Sequence, residues 1–451
     1  MSFTSIANTL QGNTAVQIFV CLLLCSMMLL YYKKFVLWII FLPYSGIWAY
    51  HLNDPWSPGY NKELMFLSSY FELMMVSYFM WCWLLIKRKD KISLWLAVMP
   101  LTAIPSLINS QGHFYLSIFL LYCMFCGAGV YRFFWDNIEY VESKRLVDIT
   151  VLTLLVLGIG IKVYIGLRLG QSFINQRGGG ILGSNTIAIN LFLLLPLVKN
   201  RWLSLFTVCF LLVQFSKGIY IGLISYAILW MVFVNKRIGM TILILMVCFG
   251  YGMSYLGESV EINAGGKTYS LKYFIMSRLR LQGDYSIISI SSDLRNAIVN
   301  SDRVKLWRTG EELAKATFLL GSGPGSTHWE LSNIQFPYTY SNMHNMFLTC
   351  LIECGLIFTI SLACFIIYLL INAFFINRRI FVGLIVWTFY QMYTGNIYET
   401  GGFATAGGYY FLLFVVAHLF YFSKVNNHVS NKIKKAHAKN FEPHFHSYSQ
   451  K

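Results

Sequence analysis

The chain has 451 residues, of which 57% are hydrophobic and only 12% charged, where soluble domains carry about 25% charged residues. That balance excludes an ordinary water-soluble enzyme. Apolar runs of about 17–25 residues recur along the chain, so the expected fold is all-α and integral to a membrane. The net charge of +16 does not imply nucleic acid, because Lys and Arg stand in short clusters between the apolar runs.

The first residues, MSFTSIANTLQGN, lack a basic n-region, so the first apolar run is expected as a retained span. Expected spans follow at about 15–32, 35–52, 64–86, 92–109, 113–133, 147–167, 184–198, 202–216, 218–234, 239–256, 345–376, 380–397 and 407–423. The count is 12 or 13, depending on whether the run at 92–109, with Pro100 and Pro105, spans. All ten cysteines lie in or beside apolar segments and imply neither a disulfide framework nor a metal cluster. Residues 1–423 are expected as one polytopic domain, and 424–451 as a basic, flexible cytoplasmic tail.

Basic clusters fall at alternate junctions: Lys33/Lys34, Lys87–Lys91, Lys144/Arg145, Lys199/Arg201, Lys236/Arg237 and Arg378/Arg379. With thirteen spans they share one side, which the positive-inside rule makes cytoplasmic. The opposite, outer face then receives a loop at 168–183, a tight hairpin at Ser216–Gly218, a long segment at about 257–344 and a Gly-rich turn near 399–408. So long a connection needs a functional reason. It holds an amphipathic stretch near 303–318 and then the turn GSGPGS at 321–326.

Cations on the outer side run against the topological bias. Arg177 stands in the Gly-rich loop FINQRGGGILGSN, Lys217 at the hairpin tip, Arg303 and Arg308 on the amphipathic stretch, and His344 just before the next span. Arg303 and Arg308 diverge by about 140° on an ideal helix, so one of the two is expected to act. Arg grips a diphosphate through bidentate, charge-assisted hydrogen bonds. A histidine with an ordinary pKa near ~6.5 accepts a proton from an attacking hydroxyl at neutral pH. Each residue also has a plainer reading: Arg177 and Lys217 as snorkelling side chains, Arg303 and Arg308 as a solvated helix face, His344 as a cap. No Asp-x-Asp pair occurs in an outer loop, which weighs against a metal-dependent reaction.

Taken in order, these motifs resemble the O-antigen ligase/polymerase superfamily of bacterial envelope glycosyltransferases. The resemblance covers about 150–370: RGGGILGSNTIAIN as the Arg-Gly-rich loop, Ser216-Lys217-Gly218 in place of Ser-Arg-Gly, SDRVKLWR before GSGPG, then His344-Asn345 and Glu353-Cys354-Gly355. It implies a C-type glycosyltransferase-like fold with a long periplasmic loop, in the bacterial inner membrane, with the active site facing the periplasm. It implies catalytic roles for His344 and Arg303, and diphosphate binding by Lys217 and Arg177, with no metal and no cofactor; Arg308 stays a diphosphate-binding candidate from its place on the amphipathic stretch alone. Lys217 departs from the family pattern, keeping the charge but not the fork, so Arg177 gains weight. Asp302 replaces a glycine. Glu353, about two and a half turns beyond His344 on a straight helix, is expected to be structural.

The reaction so implied polymerises undecaprenyl-diphosphate-linked oligosaccharide units at the outer leaflet. The expected partners are that donor, a glycan acceptor, membrane lipids and a chain-length regulator, and not nucleic acid. The alternative is a ligase that moves the finished polymer to lipid A-core. More distant is a lipid-linked sugar flippase, whose charges would lie deeper in the spans. A metal-dependent transferase relying on Asp54 ranks behind these, for want of a second carboxylate nearby.

Overall fold

The computed structural model describes residues 90–110, 114–169, 184–214, 217–256, 261–264, 267–270, 302–333, 343, 345–394, 409 and 411–423. The expected spans before residue 90 and the tail from Lys424 lie outside the described residues. Twelve α-helices are present there: α1 (Lys91–Val98), α2 (Phe114–Ser143), α3 (Leu146–Leu169), α4 (Ser184–Leu194), α5 (Arg201–Leu212), α6 (Lys217–Phe233) and α7 (Lys236–Leu256). After them come α8 (Asp302–Thr317), α9 (Ser326–Asn333), α10 (Met346–Ile376), α11 (Arg378–Thr394) and α12 (Phe411–Ser423). The all-helical expectation needs one amendment, a hairpin of β1 (Glu261–Ala264) and β2 (Lys267–Ser270), antiparallel with Glu261 opposite Ser270.

Two described stretches are long and apolar enough to cross a bilayer, Lys91–Asn109 and Met346–Ile376, and shorter apolar helices accompany them. A predominantly helical membrane protein fits both these and the composition. The first stretch is not uniform. Asp90 starts α1 through a capping box with Ser93, and from Met99 to Asn109 the chain winds as a 3-10 helix. Pro100 and Pro105 lie in that part, and neither has an N–H to give an α-helical bond.

Asparagine starts several helices. Asn200 accepts from the amides of Trp202 and Leu203, Asn235 from Arg237 and Ile238, and Asn377 from Arg379 and Ile380. Each satisfies amides that the first helical turn leaves unpaired. Basic residues follow each cap directly (Arg201, Lys236 and Arg237, Arg378 and Arg379), at the end where the helix dipole disfavours a cation. Local helix energetics therefore do not explain these cations.

The core runs through α4, α6 and α11. Phe192 of α4 packs on Tyr390 and Tyr226 with ring centroids 5.7 and 6.3 Å apart, and Tyr226 stacks on Trp230. Gly222 allows this approach, because a Cβ there would meet the Phe192 ring at 2.8 Å. Away from this core, Glu142 at the end of α2 pairs with the Lys199 ammonium. Buried His418 of α12 brings Nε2 to 3.4 Å from the same carboxylate, while its Nδ1 lies 2.9 Å from the Phe414 carbonyl. The His418 ring, with Lys199, holds the Glu142 carboxyl down at about 2, against the opposing effect of burial.

Candidate active site

The amphipathic pattern at 303–318 folds as α8, which packs along the start of α10. Its buried face is Leu306, Gly310 and Ala314. Leu306 and Ala314 join Met343, Leu331 and Ile352 in a small cluster separate from the main core. Contact is close at Gly310, where a Cβ would meet Leu348 Cδ2 at 2.8 Å and Met343 Sδ at 2.9 Å. Helical register, at about 100° per residue, puts position 303 at the centre of the same face, since 306, 307, 310 and 314 all fall within about 60° of it. Arg308 lies on the other side and is exposed. Position 303 thus falls on the packed side of α8, and Arg308 on its exposed side.

Trp307 reaches from that face to the segment before α10, donating from Nε1 to the Met343 carbonyl at 2.9 Å. On the far side of position 344, Asn345 caps α10 by accepting from the amides of Phe347 and Leu348, both at 3.1 Å. His344 itself lies outside the described residues, as does Arg177. Of the residues flanking position 344, Met343 is buried and Asn345 is the cap of α10. Lys217 opens α6 and Arg303 stands in the first turn of α8, both described by their backbone.

Sequence reasoning overlooked how the turn after α8 is held. Helix α10 breaks at Gly355, with φ 80° and ψ 177°. The break frees carbonyls that an unbroken helix would have used, and the turn takes them. Ser322 N–H donates to Ile352 O and Gly323 N–H to Glu353 O, each at 2.8 Å, while Leu356 N–H donates to Phe318 O at 3.0 Å. Backbone meets backbone so closely that a Cβ on Gly321 would lie 2.5 Å from Glu353 O, and one on Gly355 would lie 2.5 Å from Leu319 O. Both glycines have φ near +80°, where a side chain is strained in any case.

The Glu353 carboxylate is fully buried and completes the junction. Oε2 accepts from Gly325 N–H at 2.9 Å, and Oε1 accepts from the Thr327 hydroxyl at 2.6 Å and the Thr327 amide at 3.3 Å. The carboxyl group thus sits at the N-terminus of α9, whose amides and dipole favour its ionised form. Two further bonds tie the turn to other helices, from Asn109 Nδ2 to Gly321 O and from Ser117 Oγ to Pro324 O, both 2.9 Å. A Gly-rich turn opening into a helix is a ready anion cradle, but these amides already serve Glu353 and the α10 carbonyls. The sequence signal was present, GSGPG paired with Glu-x-Gly, but its meaning depends on residues 26 and 28 positions apart meeting in space.

No curated protein matches the chain. The family model described as O-antigen ligase matches residues 202–363, from α5 into α10, a stretch that takes in Lys217, α8, the turn and the Gly355 break but not Arg177. That match supports placing the chain in the O-antigen ligase/polymerase superfamily, whose members are membrane proteins acting on lipid-linked glycans.

Proposed function

We propose that this protein is a metal-independent glycosyltransferase of the bacterial inner membrane that joins undecaprenyl-diphosphate-linked repeat units at the periplasmic surface. The observation that carries the reading is the packing of the α8 face centred on position 303 against Met343, the residue before His344. Arg303, with Arg177 and Lys217, holds the donor diphosphate. His344 takes the proton from the acceptor hydroxyl, whose oxygen then displaces the diphosphate at the anomeric carbon. Arginine stabilises the departing charge and supplies what a metal would otherwise provide. Arg308, exposed on the opposite side of α8, has the weaker claim.

Two features support this membrane placement. The basic residues after the Asn caps, disfavoured by the helix dipole, are explained by retention on the cytoplasmic side. Beyond the Gly355 break, residues 356–376 rise about 31 Å as a helix, enough to cross a core of about 30 Å. That leaves 346–354, with Glu353 and the neighbourhood of position 344, at the outer interface. A polytopic chain of 12 or 13 spans with its C-terminus in the cytoplasm accommodates both features.

The second reading, transfer of the finished polymer to lipid A-core, is favoured by the description of the matching family as O-antigen ligase. Deleting the gene and resolving the cell's surface polysaccharide on a gel separates the two. Loss of the ladder with a single unit still on the acceptor means polymerase. Loss of all attached polymer, with long chains on the lipid carrier, means ligase. An unchanged ladder overturns both and leaves a transporter of lipid-linked sugars to test.

A further inference from the structure

We infer that Glu353 is a positioning residue for the transfer reaction, the fastener that holds the 321–327 turn on the broken part of α10 and so keeps the α8 face against the segment carrying His344. The inference rests on the reading above for the identity of the reacting groups. The fastening itself stands on geometry alone.

Three donors converge on one buried carboxylate, from Gly325 and Thr327. Among the described residues Glu353 forms no ion pair, so these hydrogen bonds must offset the cost of taking the carboxyl group out of water. An apolar residue there would leave two amides and a hydroxyl facing nothing. A glutamine would keep the volume but turn an NH2 toward an N–H or O–H donor. The same residue binds the turn twice, since its main-chain carbonyl accepts from Gly323 N–H.

Mechanical consequences run in both directions along the chain. Upstream, the turn is continuous with α8 through Phe318–Leu320, and Gly321 N–H caps the helix end by donating to Thr317 O at 2.7 Å. Downstream, α9 begins at Ser326 and sends Leu331 into the cluster with Met343 and Leu306. Both walls around Met343, α8 and α9, therefore hang from the Glu353 junction. Met343 precedes His344 by one residue, so slack in the junction is passed to the general base. A displacement of about 1 Å there is enough to cost on the order of 10²-fold in rate.

The test compares Glu353→Gln, Thr327→Val and His344→Ala in full-length protein purified in detergent and then placed in liposomes. Amide hydrogen exchange over 318–330 reads the junction without any assay of function. Turnover and KM with a lipid-diphosphate-linked oligosaccharide read the consequence. Expected for Glu353→Gln are faster exchange in that segment and a fall in kcat on the order of 10²-fold, with KM for the donor within about twofold. Thr327→Val, which removes one of three donors and folds more readily, should show the same pattern at about tenfold. Unchanged exchange in both variants overturns the fastening. Faster exchange with undiminished kcat overturns the positioning role, while loss of activity in His344→Ala leaves the underlying reading intact. Full activity in His344→Ala removes that reading and this inference with it.

Discussion

Trp307 and Met343 join α8 to the residue before His344 by one bond, Nε1–H to carbonyl at 2.9 Å, across 36 positions of sequence. Trp307 follows position 303 by four residues, so one face of α8 bears both the expected diphosphate ligand and the prop for the expected base. Replacing Trp307 by Phe keeps most of the ring and loses the donor, at a net cost of about 1 kcal/mol. If the proposed transfer reaction is right, activity of Trp307→Phe should fall about fivefold to tenfold at normal membrane abundance. Abundance lost in proportion to activity would show a merely structural bond.

Gly321 and Gly355 face each other across the junction, and each would thrust a Cβ into main chain at 2.5 Å. A flexible side chain could give way, but backbone held by paired hydrogen bonds cannot. Left-handed strain adds about 1–3 kcal/mol for a residue other than glycine. Gly321→Ala and Gly355→Ala should therefore lower the melting temperature and the yield of folded protein. Gly160→Ala and Gly250→Ala, where a new Cβ meets nothing within 4 Å, should leave both unchanged or slightly improved, as helix propensity favours alanine. Equal behaviour of the two pairs, followed by thermal denaturation in detergent, would show that the junction is not tight.

Much of this was legible from hydropathy because helix length and apolar run length coincide. The runs expected at 147–167, 218–234, 239–256 and 345–376 emerge as Leu146–Leu169, Lys217–Phe233, Lys236–Leu256 and Met346–Ile376. The amphipathic stretch is α8 almost to the residue, because its burial pattern and its sequence period are the same thing. Two features were not legible. The break at Gly355 lies inside a run whose hydropathy is uninterrupted, so only a partner strand of backbone reveals it. Glu353 read as structural because it lies about two and a half turns beyond His344 on a straight helix, and its partners are donated by a turn that folds back from the preceding loop. Of the candidate ligands, periodicity could state only that 303 and 308 diverge. Which of them faces the packed side required the position of α10.

That divergence gives a direct comparison. Arg308 is exposed and makes no hydrogen bond or ion pair among the described residues, and truncating such an arginine is worth little. Arg308→Ala should retain activity within about threefold of the parent. Arg303→Ala should lose on the order of 10²-fold or more, as expected for removal of a group that stabilises developing charge, and Arg303→Lys should recover only part, for lack of the bidentate fork. Rates measured with a purified lipid-linked donor decide it. A larger loss from Arg308→Ala than from Arg303→Ala would move the diphosphate to the solvent side of α8 and contradict the proposed site.

Acid stability should depend on Glu142. Its carboxyl, beside His418 and Lys199, is held at about 2 in the folded protein against an ordinary 4.5. A depressed carboxylate pKa contributes stability that is complete above the unfolded value and disappears as the pH falls through the folded one. The contribution should therefore be full above pH about 5 and decay between roughly 4.5 and 2. Glu142→Gln keeps the shape and removes the charge. It should melt below the parent at pH 7, and the gap should narrow as the pH is lowered through this window, because the parent loses what the variant never had. Melting curves of the two proteins in the same detergent, taken at several pH values between 7 and 3, measure the gap. A gap that stays constant over that range would show that the carboxylate's neighbours do not hold its pKa down.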